Sequence, residues 1–127
     1  MKKKILVLCT GNSCRSQIAH GYLQLFGGDK VEVYSAGVET HGVNPKAIAT
    51  MQEDGINISA HTSNNLLQYQ GIEFDYVITV CDNAKETCPV FIGNVKHQLH
   101  IGFDDPADAV GSEEEIMPVY RRVRDEI

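Results

Sequence analysis

The residues best equipped for chemistry stand near the N-terminus, in the run Cys9-Thr-Gly-Asn-Ser-Cys-Arg15-Ser16. A thiol, a guanidinium and a hydroxyl around one Gly-Asn pair are the parts of an oxyanion nest. The backbone amides of Thr10, Gly11, Asn12, Ser13 and Cys14 can face a common centre, and Arg15 adds a planar fork for two oxygens of a tetrahedral anion. Gly11 and Asn12 are residue types that tolerate the left-handed backbone angles such convergence needs. The same donors and the Ser16 hydroxyl stabilise a thiolate, so Cys9 is expected to be a nucleophile at neutral pH. The competing reading is a buried free cysteine beside a solvated arginine, the usual state of a lone Cys/Arg pair. Cys14 suggests helix-start packing rather than chemistry of its own.

Two further cysteines, Cys81 and Cys88, follow an apolar run, and an Asp104-Asp105-Pro106 turn follows another. With four cysteines, a zinc site spaced as Cys9-x4-Cys14 and Cys81-x6-Cys88 is an alternative. Structural zinc ligands usually come in tighter pairs, and Arg15 beside them opposes a cation. No metal site is therefore expected. Asp-Pro turns are common, so the turn at 104–106 has an ordinary structural reading as well. His41 and His61 are assigned no role, because loop histidines are more often hydrogen-bonded structural groups than catalysts.

Composition narrows the class. The chain has 127 residues, is 43% hydrophobic and 22% charged, and carries a formal net charge of −6. Its length suits a single domain spanning 1–127, with one core. The acidic balance argues against nucleic acid, whose phosphates require a clustered basic surface. The apolar run Ile5 to Leu8 is too short for a membrane span or a signal core. Four cysteines in such a chain point to redox or catalytic use in a reducing compartment, so a cytoplasmic location and a monomer are expected.

The elements that must position these groups alternate. Residues 3–8 read as a buried strand, followed by the nest. A helix runs from Arg15 to Phe26, with Ile18, Tyr22, Leu25 and Phe26 on one stripe and Gly27-Gly28 as its stop. Val31 to Ala36 is a second strand. Asn44-Pro45 caps a second helix, with Gly55 beyond its end. A short helix is expected over Ser63 to Gln70, a third strand over Phe74 to Val80 and a fourth over 97–101. The last helix has two candidate starts: the Ser112/Glu115 capping box, or Pro118, which fits poorly inside a helix. Helical periodicity still runs at Arg124 to Ile127 with no glycine cap, the pattern of a helix truncated at its C-terminus. The fold class is α/β, a four-stranded parallel sheet with helices on both faces. Ligands of such sheets sit at the carboxyl ends of the strands, where Cys9, Cys81 and Asp105 all belong.

The run CTGNSCRS at 9–16 resembles the active-site loop of low-molecular-weight protein tyrosine phosphatases, and Asp105-Pro106 looks like their general acid. The chain is more similar still to the thioredoxin-coupled arsenate reductases of that fold, through YSAGVETHGVNPKAI (34–48), HTS (61–63) and GFDDPA (102–107). The resemblance implies that Cys9 attacks arsenate while Arg15 and the loop amides hold it and Asp105 assists loss of water. It further implies that Cys81 attacks Cys9, that Cys88 attacks Cys81, and that thioredoxin supplies the electrons without a tightly bound cofactor. Residues 81 and 88 lie about 10 Å apart along a helix axis, whereas a disulfide needs Cα atoms within roughly 7 Å. The segment 82–92 is therefore expected to be mobile and to differ between redox states. Some relatives hold a potassium ion beside the loop, with an acidic residue where this chain has His20 and another where it has Asn64. Without those two carboxylates a tight cation site is not expected.

Two other functions use the same residues. A phosphotyrosine phosphatase needs only Cys9, Arg15 and Asp105, and phosphate shares the shape and charge of arsenate. The phosphatases tend to carry an aromatic residue after the Asp-Pro turn, where this chain has Ala107. A non-catalytic sensor of sulfate or phosphate, or a thiol-switch regulator, would use the same loop, but the intact Cys9, Arg15, Asp105 and redox pair argue against it.

Overall fold

The four strands run in the same direction because each returns through a crossover. The computed structural model describes residues 2–38, 42–69, 71–81 and 95–127, with residue 108 described by its backbone alone. Strand β1 is Lys3–Cys9, β2 Val31–Gly37, β3 Phe74–Thr79 and β4 Val95–His100. They form one parallel sheet in the order β2-β1-β3-β4. Helix α1 (Arg15–Gly27) connects β1 to β2, α2 (Pro45–Glu53) follows β2, and α3 (Glu113–Glu126) closes the chain. The parallel α/β sheet expected from the sequence is present. The expected strand at 97–101 lies at Val95–His100. Its ladder continues past the last strand residue, with Ile101 N donating to Thr79 O and Phe103 N to Val80 O. Cys88 and the whole of the segment 82–92 lie outside the described residues.

Strand alternation sorts the core onto two faces. Ile5, Val7 and Cys9 turn toward α1 and pack with Ala19, Val33, Val80 and Cys81. Leu6 and Leu8 face the other way, onto Ala36, Leu66, Phe74 and Val77. That second face is covered by a 3-10 helix, Leu66–Tyr69, which is what forms within the expected helix at 63–70. A third cluster, Cys14, Ile18, Ala47, Met51, Ile58 and Tyr120, joins the three α-helices.

The stripe expected on α1 is only partly the buried one. Ile18 is fully buried, but Leu25 is 58% and Phe26 78% exposed. The buried face instead uses Ala19 and Gly21, small residues that let the helix lie close to its neighbours. A Cβ at Gly21 would sit 2.8 Å from Met51 Cε and 3.0 Å from Ile58 Cγ2. Phe26 stacks on Tyr22 with ring centroids 5.7 Å apart.

The two candidate starts of the last helix are resolved in favour of Ser112. Its carbonyl accepts from Glu115 N and Ile116 N, and Pro118 lies inside α3. The expected capping box is incomplete, because Ser112 Oγ donates to the Glu115 carboxylate at 3.4 Å and makes no bond to a backbone amide. Three glutamates in the first turn favour the positive end of the helix, and burial of Tyr120 and Val123 holds the helix through the proline. Asn44 does cap α2, its Oδ1 accepting from Lys46 N at 2.8 Å and Ala47 N at 3.3 Å.

Phe74 is fully buried and meets Tyr34 edge-on at 5.4 Å. Phe74→Ala is expected to lower the unfolding free energy by about 3–5 kcal/mol, read from the urea midpoint at unchanged m-value.

Candidate active site

The loop 9–14 leaves the end of β1 and enters α1, and its shape is set by what holds its carbonyls. Gly11 O accepts from Ser63 Oγ at 3.1 Å, and Asn12 O from Gln17 Nε2 at 3.1 Å. Ser13 O accepts from Asn44 N at 2.9 Å, and Cys14 O opens the helix by accepting from Ile18 N at 2.9 Å. A trans peptide points its N–H opposite to its carbonyl. Carbonyls drawn outward by other elements therefore turn the amides of residues 12–15 toward the hollow of the loop. Asn12 alone carries the left-handed angle, at φ 47°, and Gly11 is not among the positive-φ residues. The Asn12 side chain fastens that conformation: Oδ1 accepts from Asn64 N at 2.8 Å and Nδ2 donates to Ser16 Oγ at 2.8 Å. The first turn of α1 contains no acidic residue, so its positive end faces the loop uncompensated by a carboxylate of its own.

Arg15 joins the loop to the end of β4. Its side chain is 2% exposed, with Nη1 donating to Phe103 O at 3.1 Å and Nη2 lying 3.4 Å from Asp105 Oδ2. Asp105 also caps the short 3-10 helix Pro106–Asp108 by accepting from Ala107 N at 3.0 Å. The turn thus has both its ordinary structural role and a carboxylate oriented at the loop's arginine. Its neighbour Asp104 pairs with Arg122 of α3 at 3.1 Å.

The thiols divide by environment. Cys9 and Cys81 are both buried and share one hydrophobic cluster on the α1 side of the sheet, at the ends of adjacent strands β1 and β3. Neither Cys9 nor Cys14 is in a disulfide, whereas Cys81 is disulfide-bonded. Cys14 packs with Met51 and Tyr120 instead, and burial, with the charge of Asp105, pushes its thiol far up, so it stays protonated. Any part Cys14 takes in anion binding is through its backbone amide. Among the described residues no three His, Cys, Asp or Glu side chains are grouped to hold a metal ion.

Behind the loop lies a polar layer that sequence reasoning missed. His61 Nδ1 is 3.1 Å from Gln17 Oε1, and His20 Nδ1 is 2.9 Å from Ser35 Oγ. The two imidazoles lie against each other, tilted by 31°, with centroids 4.4 Å apart. Gln17, from the first turn of α1, and Asn44, Ser63 and Asn64, from distant segments, hold the loop, and only Asn44 had a local signal, as the cap of α2. His41 lies outside the described residues.

Residues 4–127 match the family described as low molecular weight phosphotyrosine protein phosphatase. The chain belongs to that family. Within it, the chain is 52% identical over 126 residues to an arsenate reductase of Halalkalibacterium halodurans, covering 99% of this chain and 90% of the relative. A solved arsenate reductase in a phosphate-binding state superposes with a TM-score of 0.77 at 33% identity, over 98% of this chain and 92% of that one. A thioredoxin-dependent arsenate reductase of Corynebacterium glutamicum gives 0.62 at 28% identity, over 98% of this chain and 60% of that one. In this chain the loop at 9–16 and the Asp105 turn stand together at the carboxyl rim of the sheet, past the ends of β1 and β4.

Two outcomes follow from this geometry. A Cβ at Gly37 would lie 2.5 Å from Thr10 O, 2.8 Å from Cys9 O and 2.9 Å from Asn12 N, all backbone atoms. Gly37→Ala must therefore displace the loop, and titration calorimetry should show phosphate affinity reduced roughly tenfold or more. Burial, then the charge of His61, pushes His20 down to about 4 from 6.5, and burial lowers His61 as well. The unfolded chain takes up these protons first, so stability falls as pH drops from about 6.5 toward 4 and is insensitive to these groups above that window. Urea midpoints across the window should show this slope, and His20→Gln should flatten it.

Proposed function

We propose that the chain reduces arsenate to arsenite through a disulfide relay of Cys9, Cys81 and Cys88, with electrons from thioredoxin. The supporting observation is that Cys9, in its anion loop, shares a buried cluster with a disulfide-bonded Cys81 just past the end of the neighbouring strand. A phosphatase requires the first of these and has no use for the second. The 52% identity to the arsenate reductase of Halalkalibacterium halodurans supports the same reading.

The amides of the loop and Arg15 bind the oxyanion, and these donors with the Ser16 hydroxyl favour the Cys9 thiolate. Cys9 attacks arsenic, and one arsenate oxygen leaves as water as Asp105 delivers a proton, giving a Cys9–arsenic(V) adduct. The Cys81 thiolate then attacks Cys9 sulfur. The sulfur–arsenic bond breaks with its electron pair staying on arsenic, so arsenite departs and a Cys9–Cys81 disulfide remains. Cys88 attacks Cys81, freeing Cys9, and thioredoxin's dithiol reduces the Cys81–Cys88 bond. Three thiols that must return to the reduced state fit a cytoplasmic enzyme, and one chain supplying every group fits a monomer. No helix among the described residues is long and apolar enough to cross a membrane.

Phosphate ester hydrolysis is a second activity of the same groups, favoured by the Arg15–Asp105 pair at 3.4 Å. Ala107 offers no ring to grip a tyrosyl group, so this activity is expected to be weak.

Arsenate-dependent NADPH consumption with thioredoxin and its reductase tests the proposal. The wild type should turn over, Cys9→Ser should be inactive, and Cys88→Ser should stop after one arsenite per chain. Hydrolysis of p-nitrophenyl phosphate should survive Cys88→Ser. A Cys88→Ser protein that keeps turning over would refute the relay. Asp105→Asn should slow a single turnover by about a hundredfold.

A further inference from the structure

We propose that Gln17 is a positioning residue for oxyanion binding: it holds the anion loop through the Asn12 carbonyl, and His61 fixes which way its amide faces. This deepens the reading of the loop as an oxyanion site and rests on it. Gln17 follows the loop in the first turn of α1 and is fully buried. Its Nε2 donates to Asn12 O at 3.1 Å and to Thr62 O at 3.0 Å, which uses both amide hydrogens. Its Oε1 lies 3.1 Å from His61 Nδ1. Rotated by half a turn, the amide would set its oxygen against two carbonyls, so one orientation satisfies all the groups. That orientation requires His61 to carry its hydrogen on Nδ1. His20, with its ring centroid 4.4 Å away, backs the His61 ring.

The consequence for the loop is specific. Asn12 sits at φ 47°, and its outward carbonyl is what turns the Ser13 amide inward. Take away the Gln17 donor and a buried carbonyl loses its partner, a state that costs about 1–3 kcal/mol and is relieved by rotation of that peptide. Rotation brings a carbonyl oxygen toward the anion and takes an amide away from it. Gln17 also ties the loop to the segment 61–64, whose Ser63 Oγ and Asn64 N hold Gly11 O and Asn12 Oδ1. It touches no reacting atom and acts through the loop.

The test uses the reduced full chain and reads alkylation of Cys9 by iodoacetamide, resolved by peptide mass spectrometry, against pH and inorganic phosphate. Gln17→Met should need about tenfold more phosphate for half-protection and should move the pH midpoint of alkylation upward. Gln17→Glu, which keeps the shape but cannot donate as a carboxylate, should do the same and covers the case in which the methionine variant fails to fold. His61→Leu should shift both readouts in the same direction, and His61→Gln, whose amide can donate to Gln17 Oε1, should restore them. A lowered melting temperature with unchanged phosphate protection and pH midpoint in both Gln17 variants would overturn the proposal. Absence of phosphate protection in the wild type would instead overturn the oxyanion reading itself, and this inference with it.

Discussion

Everything at the rim of the sheet depends on how the carbonyls of residues 11–14 are tied to the rest of the chain. A trans peptide turns its N–H away from its carbonyl, so the loop's amides face a common anion only while those carbonyls are held elsewhere. Three different segments do the holding, through Ser63, Gln17 and the Asn44 amide, while α1 takes the last carbonyl. The left-handed Asn12 is locked by both ends of its own side chain. The receptor is thus built in advance, and an arriving anion meets dipoles already oriented.

Environment decides which sulfur can react. Cys9 stands at the mouth of the oriented amides, whereas Cys14, at the start of the same helix, is turned into an apolar cluster with Met51 and Tyr120. Burial keeps the second thiol protonated, and the first shares its cluster with Cys81. Two cysteines in one short loop therefore have unlike chemistry, for reasons visible only in three dimensions.

What could be read from the sequence was local or periodic. The nest, the four strands and the Asn44 cap follow from neighbours in the chain, and the parallel order follows from alternation of strands and helices. The face of α1 could not be read the same way: hydrophobicity marked Leu25 and Phe26, but the close approach to Met51 and Ile58 selected Ala19 and Gly21. Gln17, Ser63 and the His20–His61 pair were equally hidden, since each matters through a partner far along the chain. The glycine at residue 37 belongs with them, for its importance lies in the backbone that crosses it.

Helix α3 grips both sides of the mouth at once. Tyr120 receives a hydrogen bond from Asn44, whose amide anchors Ser13, while Arg122 holds Asp104 beside the carboxylate-bearing turn. The two jaws are consequently geared to a single rod. A slide or tilt of that rod would change the gap between floor and acid together, and because the Arg122 contact is exposed, ionic strength becomes a handle on how tightly the gear meshes.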